Sequence, residues 1–305
     1  MMGTYPTGAL ASAVWIDLLD PSPEEVQQAH EATGLHVPTR HEVSEIESSS
    51  RLGFDEGAYY VSTPLVAPSG DGEVVLTPVG FVLAARVLIT VRFAEVKAFD
   101  EARAACEKGR EATAEEVFLR IMETVVDRAA DGLEHAGGEC DALSRSVFRV
   151  QEWKSEGLRG ALQKIGHIAN KTSRVRDELL GVGRIATFVT ESGLRGAPPV
   201  NAGRMKAVRA DIASLTDYET RLSGNVQFVL DASLGFINIE QNEIVKTLTI
   251  ASVVGIPPVL IAGIYGMNFH VMPELSWPLG YPMALVVIVV SGAIPLIWFK
   301  KRGWM

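Results

Sequence analysis

The sequence predicts an α+β domain, layered as α/β/α, that continues through long stalk helices into a two-helix transmembrane hairpin. Three observations carry this. Short β-prone segments separated by turn clusters are confined to roughly the first hundred residues. Long helical patterns rich in Ala, Glu, Arg and Leu follow. Two uncharged runs, Thr247 to Phe269 and Tyr281 to Phe299, close the chain. The corresponding parts are 1–110, an α/β domain; 111–245, long helices including the stalk; and 246–305, the hairpin with its loop and basic tail.

Taken in order, Val14-Trp15-Ile16-Asp17-Leu18 is apolar and β-prone. A helix starts just after it: Ser22 is the N-cap, Pro23 occupies the first helical position and Glu25 closes a capping box. Further strands are expected at Ala58 to Pro64, Glu73 to Leu76, Gly80 to Ala84 and Arg86 to Val91, with a turn at Pro68-Ser69-Gly70-Asp71-Gly72. A helix followed by several short strands indicates an α+β or layered α/β domain. Helices are then predicted over 113–155 and 158–193, broken near Gly157 and again between Gly193 and Pro199. No Pro occurs between Asn201 and Pro257, which permits one helix to run from the polar body into the first span.

On that helix Val208, Ile212, Leu215, Glu219, Leu222, Val226, Val229, Ser233 and Phe236 repeat at alternating spacings of four and three, a coiled-coil seam with two polar interruptions. Such a stripe fits either a helix packed on its own domain or a stalk packed on copies of itself. Continuity with a span favours self-association.

At 1.5 Å per residue the two apolar runs extend about 33 Å and about 28 Å, enough to cross a hydrocarbon core. Lys246 precedes the first run and Lys300, Lys301 and Arg302 follow the second, while the connecting loop holds one charged residue, Glu274. The positive-inside rule then puts both ends in the cytoplasm and the loop outside. The net charge of −9 is uneven: residues 246–305 hold one acidic and four basic residues, and the acidic surplus lies before them. An acidic body argues against nucleic-acid binding.

Other chemistries find little support. Met1 to Asp20 does not read as a signal peptide, since no basic leader precedes its apolar stretch and Asp17 interrupts it. Cys106 and Cys140 lack CxxC spacing and are expected as buried or free thiols. The six histidines show no HExxH or similar spacing. Gly181-Val182-Gly183 follows a helix and not a strand, so it is not read as a dinucleotide loop, and no GxxxxGK[ST] string supports nucleotide binding. No catalytic constellation stands out, and the chain is not expected to be an enzyme.

Two spans cannot enclose a lumen. Conduction needs an oligomer, and a closed symmetric ring is the simplest. The first span carries no carboxylate, so it lacks the hard oxygen ligands that stripping a divalent ion of water requires. Backbone carbonyls, hydroxyls and amides that hydrogen-bond to a hydrated ion are the consistent alternative.

Directly after that span comes Ile264-Tyr265-Gly266-Met267-Asn268-Phe269, followed by Met272-Pro273-Glu274-Leu275 and Gly280-Tyr281-Pro282. With Trp15-Ile16-Asp17-Leu18, Pro38-Thr39 and Glu42, Glu45-Ile46-Glu47 with Ser49-Ser50-Arg51, Thr77-Pro78-Val79, and Phe299-Lys300-Lys301 with Trp304, these strings resemble the CorA family of magnesium transporters over nearly the full length.

The resemblance implies a homopentameric funnel in a bacterial-type inner membrane, with both termini cytoplasmic. It assigns ion selectivity to Gly266, Met267 and Asn268 at the outer mouth. The pore face it implies is Asn242, Val245, Leu248, Ser252, Ile256, Val259 and Gly263, with Leu248 and Ile256 as candidates for a dewetting gate. Many relatives carry a hydroxyl residue where this chain has Val259. Asp231 matches an acidic position near the inner pore end, and Asp211 and Asp217 are candidates for regulatory Mg2+. Glu274 would form a ring of negative charge at the mouth. The expected partners are copies of the chain, the lipid bilayer and divalent cations, with no nucleic acid, nucleotide or organic cofactor.

The expected function is passive, potential-driven uptake of Mg2+, with Co2+ or Ni2+ as further cargo, gated by intracellular Mg2+. The alternatives are a proton-coupled zinc transporter of the same superfamily, against which Met267 weighs because zinc-handling relatives commonly have Ile there, and a membrane-anchored cytoplasmic sensor.

Overall fold

The computed structural model describes the chain except residues 7, 9, 46, 48–50, 70–73, 109–112, 150–154, 192–195, 199, 269, 271 and 305. Ile46, Ser49, Ser50, most of the turn after Pro68, Glu73, Gly193, Pro199 and Phe269, all used above, therefore lie outside the described residues. The chain divides into two compact units, 1–230 and 231–305.

The first unit is built on a six-stranded mixed sheet. Its strands are β1 (Met2–Tyr5), β2 (Trp15–Leu19), β3 (Leu52–Asp55), β4 (Ala58–Pro68), β5 (Val74–Leu83) and β6 (Leu88–Arg92). They lie side by side in the order β1-β2-β6-β5-β4-β3. Only the β2–β6 pair is parallel, with Trp15 opposite Leu88; the other pairs are antiparallel. Helices α1 (Pro23–Thr33), α2 (Arg40–Ser44), α3 (Lys97–Lys108), α4 (Ala114–Phe148) and α5 (Ser155–Glu191) complete the unit, together with the first part of α6 (Ala202–Tyr265). Helix α7 (Gly280–Lys301) belongs to the second unit.

Strand alternation sorts the side chains into two cores. Ile16, Leu18, Val82, Ile89 and Val91 pack on one face with Ala29 of α1, Leu35 and Val37. On that same face Gly80 gives α2 its seat, because a Cβ there would lie 2.6 Å from Val43. On the other face Trp15 and Phe81 meet Phe99 of α3 at 6.3 and 6.1 Å between rings, and Phe81 meets Phe118 of α4 edge-on at 5.8 Å. Helix α5 sits close to β4, where a Cβ on Gly181 would overlap the Thr63 hydroxyl. The arrangement is the predicted α/β/α layering. The Gly181-Val182-Gly183 string is helical packing surface, in line with its rejection as a nucleotide loop.

One charge cluster lies inside the second core. Asp17 is buried and accepts from Arg92 Nε at 3.1 Å and Nη2 at 2.8 Å, from Arg103 at 3.2 Å and from the Thr90 hydroxyl at 2.8 Å. Trp15 Nε1 donates to the same hydroxyl at 2.9 Å. A buried carboxylate persists only when its oxygens are satisfied in this way.

The capping box at Ser22 and Glu25 forms as read. Other boundaries moved. The two segments expected at 73–76 and 80–84 are one strand, β5, running through Pro78, which stands opposite Pro64. Neither proline breaks a ladder, because β3 pairs β4 only up to Val61 and β6 pairs β5 only from Val79. Strands β1 and β3 and helices α2 and α3 had no counterpart in the sequence reading. The helix expected over 113–155 ends at Phe148, so the break precedes Gly157. Both cysteines are buried and unpaired, as expected.

The reading of the stalk seam as a self-association surface is corrected over 208–229. Val208, Ile212, Glu219, Leu222, Val226 and Val229 are already buried within the chain, and Leu215 is half-buried. Glu219, 1% exposed, faces Arg176 of α5 at 3.6 Å and accepts from Ser223 at 2.7 Å. Arg204 makes a two-pronged bond to Glu123 of α4 at 2.9 and 2.6 Å, and Tyr218 packs onto Gly137 of α4. Periodicity specifies that a stripe is covered, not by which helix. Here the two long helices preceding α6 do so.

Candidate functional site

Helix α6 is 64 residues long and continuous through Pro257 and Pro258, matching the expectation of one helix from body to span. Its apolar part and α7 are both long and apolar enough to cross a membrane. They pack against each other within the second unit at Gly292, where an added Cβ would lie 3.3 Å from Pro258 and 3.4 Å from the Val254 carbonyl. The missing side chain at 292 lets the backbones approach, as small residues do between membrane helices.

This contact orients α6. At 100° per residue, Val245, Leu248, Ser252, Ile256, Val259 and Gly263 lie within a narrow stripe, and Val254 and Pro258 lie on the opposite side. The stripe is open in the single chain: Val245, Leu248, Ile256 and Val259 are 61–72% exposed, Asn242 and Gly263 are exposed, and Ser252 is half-buried. Thr247 and Thr249 donate to the carbonyls of Glu243 and Val245 one turn back, so their hydroxyls are satisfied within the helix.

The loop begins where α6 ends. Gly266 N–H donates to the Ala262 carbonyl at 3.0 Å and Met267 N–H to that of Ile264 at 3.2 Å, which caps the last turn. Gly266, Met267 and Asn268 thus stand as an exposed turn tied to the helix end. Glu274 is exposed in a short 3-10 turn, Pro273–Ser276. That turn leans on the start of α7 at Gly280, whose Cα is so near the Glu274 carbonyl that a Cβ would sit 2.1 Å from it. Gly280 was read only as part of a string; its close approach has no signature in composition.

Of the acidic candidates, Asp211, Asp217 and Asp231 are all exposed. Asp211 has an acidic neighbour that the sequence did not single out. Partial burial pushes the Asp127 carboxyl above the usual range, and the carboxylates of Asp211, Glu123, Asp131 and Glu101 add to the rise. Among the described residues no group of three or more His, Cys, Asp or Glu side chains is arranged to hold a metal. Glu178 was also missed: it is 5% exposed, accepts from Val66 N–H at 2.8 Å, and burial pushes its carboxyl up to about 7.

Residues 11–301 match the family model described as CorA-like Mg2+ transporter protein. Relatives named magnesium transport protein CorA from Yersinia pseudotuberculosis and Escherichia coli K12 are 32% and 30% identical over 298 residues, covering 97% of this chain and 93% of each relative. The CorA magnesium transporter of Methanocaldococcus jannaschii superposes with a TM-score of 0.74 at 20% identity, over 95% of this chain and 91% of that one. The ZntB cytoplasmic domain of Vibrio parahaemolyticus shares the fold at a TM-score of 0.51 and 12% identity, over 73% of this chain and 87% of that one. The family match takes in both units and the turn between the spans, and on it the chain belongs to the CorA-like Mg2+ transporter family.

Proposed function

We propose that this protein carries Mg2+ passively into the cell through a pore formed by five copies of α6, in an inner membrane with both termini cytoplasmic. The observation that supports this most is the open stripe from Asn242 to Gly263. It lies opposite the face that α7 occupies and ends at the Gly266-Met267-Asn268 turn. Relatives at 30–32% identity are named for magnesium transport.

The chemistry follows from the ion. Mg2+ gives up its waters reluctantly, so an outer rim of Asn268 amide oxygens and backbone carbonyls can accept hydrogen bonds from coordinated water without a fixed charge. Glu274 raises the local cation concentration at that rim. Leu248 and Ile256 form apolar constrictions that close by dewetting, and Asp231 attracts the ion at the inner end. An inside-negative potential supplies roughly 4.6 kcal/mol per divalent ion at 100 mV, so no other fuel is needed. Intracellular Mg2+ acts as the gate, and Asp211 beside Asp127 is a better place for it than Asp217, since a hydrated Mg2+ is held by one or two carboxylates. Co2+ and Ni2+ are further cargo.

Flux into liposomes tests the reading. Asn268→Ala should reduce Mg2+ entry at least about tenfold, the scale of one lost hydrogen-bond donor or acceptor set at a preorganised site. Undiminished flux would overturn the selectivity role of the turn. A monomeric particle in detergent would overturn the pore, and Zn2+ entry that tracks a proton gradient would replace the cargo.

A further inference from the structure

We infer that the tail end of α7 is a docking surface for anionic phospholipid headgroups. The inference rests on the reading that α7 spans the membrane. The last residues fold by a Schellman motif: Trp304 N–H donates to the Phe299 carbonyl at 3.1 Å, Gly303 N–H to that of Lys300 at 3.2 Å, and Gly303 takes φ 71°. The hydrophobic contact that accompanies this motif is present, with the Trp304 and Phe299 rings stacked at 5.3 Å. Trp298 lies edge-on to Phe299 at 5.1 Å, and the Arg302 guanidinium sits 5.0 Å from the Trp298 ring centre.

The result is a fixed aromatic platform, not a loose basic tail. Phe299 is buried beneath it, and Trp298 and Trp304 remain exposed. Lys300, Lys301 and Arg302 are exposed around its rim. A helix of 22 residues is about 33 Å long, so these cations stand where the hydrocarbon gives way to headgroups. Indole rings favour that depth, and the three full charges outweigh the roughly half negative charge of the helix C-terminus.

The opposite end of α7 shows what is specific here. Tyr281 and Trp277 are also exposed at the interface depth, yet Glu274 is the one Asp, Glu, Lys or Arg in the sequence between Lys246 and Lys300. Aromatic anchoring is common to both ends, while charge complementarity to phosphate exists at one. A ligand with a net negative headgroup, such as phosphatidylglycerol, therefore fits the tail end better than zwitterionic phosphatidylcholine.

Each cation held near an anionic membrane surface is worth about a fivefold change in binding, so three give about a hundredfold preference. Native mass spectrometry of the full-length protein in neutral detergent, doped with phosphatidylglycerol or phosphatidylcholine, measures it. The wild-type chain should retain phosphatidylglycerol, lose the preference in 0.5 M salt, and lose it in the variant K300Q/K301Q/R302Q. Equal retention of both lipids, or a preference that ignores both salt and the triple substitution, overturns the inference. So does equal competition by inorganic phosphate. Should the variant fail to fold, the salt dependence of the wild-type preference decides alone. A chain that stays in the aqueous phase without detergent overturns the spanning reading itself, whereas one that inserts but shows no lipid preference overturns only this surface.

Discussion

Residues 1–230 and 231–305 place their large apolar side chains in opposite ways. In the first unit the large apolar side chains, such as Trp15, Phe81, Phe99 and Phe118, are fully enclosed by the chain itself, and the buried carboxylates of Asp17 and Glu219 find partners inside it. In the second, Val259, Tyr281, Val289 and Ile294 are mostly exposed. One unit completes its own core. The other presents a surface that water does not favour and that a bilayer would cover. The lesson is that a stripe of apolar residues has a meaning only relative to the solvent around it.

The contrast is sharpest where a charge is enclosed. Asp17→Ala should destabilise the first unit by about 3–5 kcal/mol, because Arg92 would remain buried without its partner. Denaturant unfolding followed at the β2 and β6 amides checks this, and a loss under 1 kcal/mol would show that the cluster is better hydrated than its burial indicates.

A smaller effect, set by pH, is expected at Glu178. Its folded carboxyl is pushed up to about 7 by burial, above the ordinary range near 4.5 of an unfolded chain. The folded state thus holds the proton more tightly, and stability falls as pH rises from about 4.5 to about 7, by at most about 1.4 kcal/mol per unit. Glu178→Gln should flatten that slope, read as hydrogen exchange at the Val66 amide across pH 5.5 to 7.5. Arg128, Lys171, Lys97 and Asp131 line the same cavity, of about 320 Å3, and Arg128 opposes the rise, so the slope should flatten at low salt, where the cations favour the carboxylate more strongly.

The smallest effect belongs to the second unit. Val259→Ser removes an exposed methyl pair from the open stripe, and thermal stability should change by less than about 0.5 kcal/mol. Mg2+ flux should respond nonetheless, since a hydroxyl would then face the proposed path. A large stability loss without a flux change would mean that the stripe packs and does not conduct.

The sequence made some of this legible and concealed the rest for physical reasons. The Ser22 capping box and both spans were readable because their signals are local: a fixed residue spacing and an uncharged length. Strands β1 and β3 were missed because four residues carry too little alternation, and their pairing with β2 and β4 is the only thing that defines them. The seam on α6 was legible as a stripe, but its occupant was not, since Arg176, Glu123 and Gly137 lie on distant segments. The Gly266-Met267-Asn268 turn lies inside the uncharged run that ends at Phe269 and was legible only through the family resemblance, while Gly280, Asp127 and Glu178 take their character from neighbours that only folding supplies.

The loop between the spans is divided in its attachments. Asn268 follows a turn bonded to the end of α6, whereas Glu274 rides on a turn wedged against Gly280 at the start of α7. Any sliding of one helix along the other therefore alters the spacing between amide and carboxylate, and in the proposed pore the mouth's attraction for cations would become a gauge of how the pair is aligned.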